Sequence, residues 1–141
     1  GEMYIANYPT EGAKTYASGG SGMTGTARAY FMFCQAMLNN GTLDGVRILK
    51  TKTAESMHQD QIEGISFPSR TARFGFGFDI AKGHPNRPDG TYSWAGAFST
   101  VFWIDPTNDL IVIQLRQVLS SPNNQDINGQ LEQIVYSALK D

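Results

Sequence analysis

Histidine, cysteine, serine and carboxylate side chains carry most covalent and proton-transfer chemistry in proteins, and their spacing here rules out several familiar sites. His58 and His84 stand 26 positions apart. They are not assigned to a metal site, and no cofactor is expected. Cys34 has no second cysteine to pair with and falls inside an apolar helical stripe, so it reads as a small hydrophobe. Ser21 lies in Gly20-Ser21-Gly22, but a nucleophile elbow of the Gly-x-Ser-x-Gly type would need glycine where Met23 stands. Loop chemistry is the better reading. Asp105-Pro106 and Asp109 are read as turn residues rather than as a catalytic carboxylate pair.

The elements that would position any site follow from hydrophobic periodicity. Residues 1–22 show no sustained period and form an irregular lead-in ending in Gly19-Gly20-Ser21-Gly22. Ala27, Tyr30, Phe31, Cys34, Met37 and Leu38 repeat at helical spacing, with Thr24 or Thr26 as N-cap and Asn39-Asn40-Gly41 as the stop. Leu43 to Leu49 predicts a turn with short extended pieces, and a second helix should begin near Thr51, with its body from Lys52 to His58. Phe74, Phe76, Phe78 and Ile80 alternate with Gly75, Gly77 and Asp79, which predicts one strand with an aromatic face and a thin opposite face. Gly83 to Gly90, with two prolines and Asp-Gly, is a connection. Thr91 to Ala97, Phe98 to Ile104 and Leu110 to Leu115 predict three strands of an antiparallel meander. Ile127, Leu131, Ile134, Val135, Ala138 and Leu139 predict a terminal amphipathic helix packed across the sheet.

The fold class is therefore α+β, an antiparallel β-sheet flanked by helices. Residues 23–60 are helical, 73–117 form the sheet and 123–140 the terminal helix. The chain has 141 residues, 40% of them hydrophobic, enough for one ordinary core. Its 11 basic and 13 acidic residues nearly cancel, so no nucleic-acid partner is expected. No apolar run reaches the roughly 20 residues that span a bilayer. Gly1-Glu2-Met3-Tyr4 lacks the basic-then-apolar order of a signal peptide, so any targeting signal would lie outside this chain.

Two stretches resemble the serine β-lactamase and penicillin-binding-protein superfamily, in particular its class C β-lactamase and esterase-like branch. The first runs Gly22-Met23-Thr24-Gly25-Thr26-Ala27-Arg28-Ala29-Tyr30, then Gln35, Leu38-Asn39-Asn40-Gly41, Leu43-Asp44-Gly45-Val46-Arg47-Ile48-Leu49 and Lys52-Thr53. The second is Trp94-Ala95-Gly96-Ala97-Phe98-Ser99-Thr100 followed by Phe102-Trp103-Ile104-Asp105-Pro106, similar to the family's third motif on a strand with a W-I/V-D-P turn after the next. The resemblance covers roughly residues 17–140 and implies a partial β-lactamase/transpeptidase-like fold, with residues 1–141 as the C-terminal portion of one such domain.

By that resemblance Trp94, Ala95 and Gly96 flank a substrate cleft and the N–H of Ala97 is one oxyanion donor, the other belonging to the nucleophile's own backbone. Gly96 would let a peptide-like or small-molecule substrate approach the strand edge. Trp94 stands where many members carry a basic residue that attracts the substrate carboxylate. An indole offers one neutral donor and an apolar face, which implies a preference for esters or uncharged amides. The family's nucleophilic Ser-x-x-Lys and its Tyr-x-Asn motif belong upstream of the Gly-rich loop, and neither stands at a suitable place. Ser137-Ala138-Leu139-Lys140 sits at the far end on an amphipathic helix, and Ser121-Pro122-Asn123 follows the third motif instead of preceding it.

The expectation is thus part of a serine hydrolase acting on an ester, amide or β-lactam, inactive alone, whose partner is the missing N-terminal part of the same domain. The competing expectation is a non-catalytic peptide- or protein-binding module on the same fold. A homodimer through the open edge of the Leu110 to Gln117 strand is also expected. Members of the family are often periplasmic or secreted, but nothing in this chain sets a compartment.

Overall fold

A computed structural model describes residues 19–20, 23–65, 73–119 and 122–139. The lead-in expected over residues 1–22 lies outside them apart from Gly19 and Gly20, and so do Ser21, Ser121 and Lys140. The first helix, α1, spans Ala27–Leu38, and the Thr26 side chain caps it by accepting from the Ala29 N–H at 3.2 Å. Asn40 and Gly41 end it at φ of 51° and 87°. A Cβ at Gly41 would stand 2.5 Å from the Leu49 carbonyl oxygen, so both conformation and space require glycine there. Strands β1 (Thr42–Leu43) and β2 (Val46–Arg47) form a small hairpin whose turn residues, Asp44 and Gly45, both have positive φ. Helix α2 then runs Thr51–Met57.

Among the described residues the main sheet has five antiparallel strands in sequential order: β3 (Arg73–Phe74), β4 (Asp79–Ile80), β5 (Tyr92–Ala95), β6 (Val101–Asp105) and β7 (Leu110–Gln114). Helix α3, Asn124–Ala138, follows. Side chains alternate across the sheet as period two requires. Tyr92, Phe102, Ile104, Ile111 and Ile113 face Cys34 and Met37 of α1 and Ala54 of α2, while Val101, Trp103, Leu110 and Val112 face Leu131, Val135 and Tyr136 of α3. The result is three layers, helices on both faces of one sheet.

Four expectations are corrected. Residues 74–80 do not form one strand: Arg73 pairs with Ile80 and Phe74 with Asp79 across a tight hairpin turned at Gly77, whose φ is 89°. Phe76 is consequently exposed while Phe78 and Ile80 are buried, so the aromatic alternation is not one face. The thin face has a concrete cause at Gly75, where a Cβ would stand 2.0 Å from the Met57 carbonyl oxygen. Second, β5 ends at Ala95 and β6 begins at Val101, so residues 96–100 are a turn and Ala97 is not on a strand. Third, the buried residues of α1 are Cys34, Ala36 and Met37, whereas Ala27, Tyr30 and Phe31 are exposed.

The fourth correction concerns α3. Its inward residues are Asn128, Leu131, Glu132, Val135 and Tyr136, and Ile127 and Ile134 point out, Ile134 with 66% of its surface exposed. The helix is turned away from its most apolar arc by two polar contacts. Glu132 meets Arg87, and the Tyr136 hydroxyl donates to Asp105 Oδ2 at 3.0 Å. Buried charged and hydroxyl groups must keep their partners, and that requirement outweighs the burial of two isoleucines.

Candidate functional site

The strand β5 is held differently at its two ends. At its start Ile80 and Asp79 of β4 pair with Tyr92 and Ser93; at its end Trp94 and Ala95 run past β4 and pair with Phe102 and Val101 of β6. Below the start lies a rigid aromatic floor. Tyr92 is fully buried, stacks on His58 at 4.5 Å and 10°, and meets Phe78 edge-on at 5.2 Å. Burial holds the His58 imidazole below its ordinary range, so at neutral pH the ring is uncharged against Tyr92.

Trp94 is 40% exposed and its ring meets Phe74 edge-on at 5.2 Å. The indole is therefore partly a packing residue for the β3–β4 hairpin and partly a cleft wall. Beside it opens a cavity of about 240 Å³, bounded by Tyr30, Trp94, Gly96, Phe102, Ile113 and Leu115, and none of the described residues lining it carries a charge. Tyr30 packs edge-on against Phe102 at 5.0 Å, and burial raises its phenol to about 12, so it stays protonated. The cavity is aromatic and aliphatic with neutral polar groups at its rim.

The turn after β5 forms the rim. Gly96 closes it twice: its N–H donates to the Thr100 carbonyl at 2.9 Å, and its carbonyl accepts from the Ser99 N–H at 3.0 Å. A Cβ at Gly96 would stand 2.5 Å from Thr100 Oγ1, so the turn itself calls for glycine there. Ala97 lies at the exposed crest, and no acceptor among the described residues takes its N–H. Such a donor, one residue along from Gly96 of the cavity lining, is what a backbone alone could contribute to an oxyanion site.

The other candidate residues fall elsewhere. Ser137 is exposed at the end of α3, and its hydroxyl donates to the Ile134 carbonyl at 2.9 Å, so it faces neither cavity nor base. Asp105 is fully buried and accepts from the Thr107 and Asn108 N–H groups and from Asn108 Nδ2, the turn role its Asp-Pro context implies. Among the described residues no group of three histidine, cysteine or acidic side chains could hold a metal ion.

Periodicity did not reveal a polar cluster on the α3 face of β5. Glu132, 5% exposed, accepts from Arg87 Nε at 3.1 Å and from a second Arg87 nitrogen, with Asn86 Nδ2 at 3.5 Å and His84 Nε2 at 3.8 Å. The Arg87 guanidinium also lies 4.7 Å from the centre of the Trp103 ring. This cluster pins the 83–88 connection to α3 and so fixes where β5 begins. An interrupted-proline connection gives no sign in sequence of which helix its arginine will meet.

Residues 3–135 match the family model described as Beta-lactamase. Two curated proteins of Mycobacterium tuberculosis are similar to the chain: Protein Rv1367c of strain ATCC 25618 / H37Rv and Uncharacterized protein MT1414 of strain CDC 1551 / Oshkosh. Each is 32% identical over 119 residues, covering 73% of this chain and 29% of the relative. The chain thus spans about three tenths of the length of those relatives. Among solved structures, EstCE1, a hydrolase with promiscuous acyltransferase activity, superposes with a TM-score of 0.71 over 95% of this chain and 35% of its own, at 24% identity. Simvastatin Synthase (LovD) from Aspergillus terreus, as its LovD6 mutant, superposes with a TM-score of 0.62 over 79% of this chain and 33% of its own, at 20% identity. These likenesses establish the fold as β-lactamase-like, of which the chain is a part.

Proposed function

The chain belongs to the beta-lactamase family, and from that membership we propose that it supplies the C-terminal part of a serine hydrolase or acyltransferase domain, carrying the cleft strand and one oxyanion donor while the nucleophile comes from outside it. The observation that carries this reading is the crest of the 96–100 turn, where the exposed Ala97 has an N–H with no acceptor among the described residues. In acyl transfer the attacked carbonyl oxygen becomes negative in the tetrahedral intermediate, and a preorganised donor stabilises it without reorganising at that moment. Ala97 N–H is one such donor. A second N–H, together with the attacking hydroxyl and its base, would be brought by the segment that carries the family's Ser-x-x-Lys motif.

The cavity walls bear on the substrate. With Trp94 at the position of the family's cation, and no charge on the described residues lining the cavity, a free carboxylate on the substrate would lose water without gaining an ionic partner among them. Neutral esters and amides fit that chemistry better. Ala95 extends past the end of β4, so an extended substrate can lie alongside it and add to the strand.

The test is a covalent serine probe together with chromogenic ester and cephalosporin substrates, applied to this chain alone and to the polypeptide encoded with its upstream sequence. The chain alone should be neither labelled nor active, and the longer polypeptide should be labelled at a serine outside residues 1–141. Stoichiometric labelling of a serine within the chain, or a longer polypeptide without a Ser-x-x-Lys motif, would overturn the reading and favour a binding module on the same fold.

A further inference from the structure

A backbone donor is useful in catalysis only if the turn that carries it cannot swing, and the 96–100 turn contains a residue whose conformation needs outside support. Ser99 has φ of 62°, a region that side-chain-bearing residues adopt only at an energetic cost. It is nevertheless 2% exposed. Serine has no special tolerance of this conformation, so something must hold it. Three contacts do, all from the segment just after β7. The Ser99 hydroxyl donates to the Val118 carbonyl at 2.7 Å, the Ser99 carbonyl accepts from Arg116 Nε at 3.1 Å, and the Val118 N–H donates to the Phe98 carbonyl at 3.2 Å.

The geometry points to Ser99 as a positioning residue for the Ala97 donor, acting through a clamp between the 96–100 turn and residues 116–118. This assignment rests on the reading of Ala97 as an oxyanion donor. The backbone runs Gly96, Ala97, Phe98, Ser99, and the turn is closed at both ends by Gly96. The Ala97 N–H belongs to the Gly96–Ala97 peptide, whose carbonyl accepts from the Ser99 N–H, so swinging the donor breaks that bond, and the Ser99 hydroxyl and Val118 bonds hold the residue to which it is made. A buried hydroxyl that loses its acceptor has no water to replace it, so the clamp has one strongly preferred arrangement.

The role is distinct from general stability because the clamp joins two connections and none of its residues belongs to either core cluster. Two substitutions separate backbone strain from the hydroxyl. Ser99→Gly removes the strain and the hydroxyl together, whereas Ser99→Ala keeps the strain and removes the hydroxyl.

The experiment has two arms. On this chain, amide hydrogen exchange should show protection at Gly96, at residue 99 and at Val118 falling roughly five- to tenfold in both variants, the loss expected for one hydrogen bond. Amides of β6 and α3 should keep their protection. In the polypeptide encoded with the upstream sequence, both variants should lower kcat about tenfold or more with KM nearly unchanged, since a misplaced oxyanion donor weakens the transition state more than the ground state. Ser99→Thr, which keeps the hydroxyl, should recover part of the lost turn protection and kcat. Unchanged exchange in both variants would overturn the clamp itself. Lost protection with kcat retained by Ser99→Gly would overturn the positioning role while leaving the clamp intact. A longer polypeptide inactive in its wild-type form would count against the hydrolase reading and against Ser99 as a positioning residue, while the exchange arm would still judge the clamp.

Discussion

Replacing Arg87 by methionine should destabilise the chain by about 3–5 kcal/mol, the range for removing one partner of a buried ion pair. The structure sets that magnitude. Glu132 is 5% exposed, and the Arg87 side chain is 11% exposed, so each group is largely shielded from bulk water when the other is lost. The guanidinium gives the carboxylate two hydrogen bonds, and the remaining neighbours are weak substitutes, Asn86 at 3.5 Å and His84 at 3.8 Å. Loss of the Trp103 contact adds to the cost. A surface ion pair would be worth at most about 1 kcal/mol, so the two cases are well separated.

The assay is urea denaturation followed by circular dichroism, completed as a double-mutant cycle with Glu132→Leu. Each single variant should lose about 3–5 kcal/mol, and the double variant should lose less than either, because apolar side chains of similar volume leave no buried charge behind. Arg87→Lys, which keeps the charge but loses the fork and most of the stacking, should fall between wild type and Arg87→Met. If Arg87→Met costs under about 1 kcal/mol, or the two single losses add in the double, the cluster does not hold α3 and the explanation for the rotation of that helix fails.

The remaining expectations concern His58 and Cys34. Burial lowers the His58 pKa below 6.5, so the unfolded chain takes up a proton that the folded ring refuses. Its contribution is fully present above pH 6.5 and is lost as pH falls through 6.5 toward the folded value. His58→Phe, which keeps the stack on Tyr92, should show a smaller fall in urea midpoint between pH 7.5 and pH 5.5 than wild type, and equal falls would refute this. Cys34 is fully buried and its thiol is pushed up to about 12, so alkylation by iodoacetamide at pH 8 should proceed only through unfolding and accelerate with urea. Rapid labelling of the native chain would show that α1 is not packed as described.

Periodicity located the helices and most strands because burial on one face imposes it, but it could not locate contacts that override burial. Asn39-Asn40-Gly41 and Asp44-Gly45 were legible as turns because their chemistry tolerates positive φ, and both positions show it. The alternation from Phe74 to Ile80 misled because it was produced by two separate needs. Phe78 and Ile80 serve the core, while Gly75 makes room for the Met57 carbonyl. The position of Trp94 to Gly96 was legible by resemblance, but the end of β5 at Ala95 was not, since nothing in Phe98-Ser99-Thr100 marks Ser99 for a left-handed conformation. That conformation is imposed by Arg116 and Val118, which lie 17 and 19 residues away. The rotation of α3 likewise depends on Arg87, 45 residues from Glu132.

The candidate site is therefore a strand and turn fixed from three directions, each by contacts internal to this chain. Tyr92, His58 and Phe78 fix the strand from the α1 and α2 side. Arg87 and Glu132 fix its entrance from the α3 side, and Ser99 fixes the turn. Binding is weakened when the parts that meet must first be ordered, so a half-site whose geometry is already set leaves more of the association free energy for the contact itself. The surface beside that half-site is apolar: Phe31 and Met32 on α1, and Leu115, Val118 and Leu119 after β7, are all 44–49% exposed. A segment carrying the nucleophile could cover such a surface without having to shape the oxyanion turn. On this reading the two parts of the site differ in kind. With Ala97 as the proposed donor, this chain would bring a backbone N–H and a wall whose described residues are uncharged, and the part that brings the serine would have to supply the charge and the proton transfer.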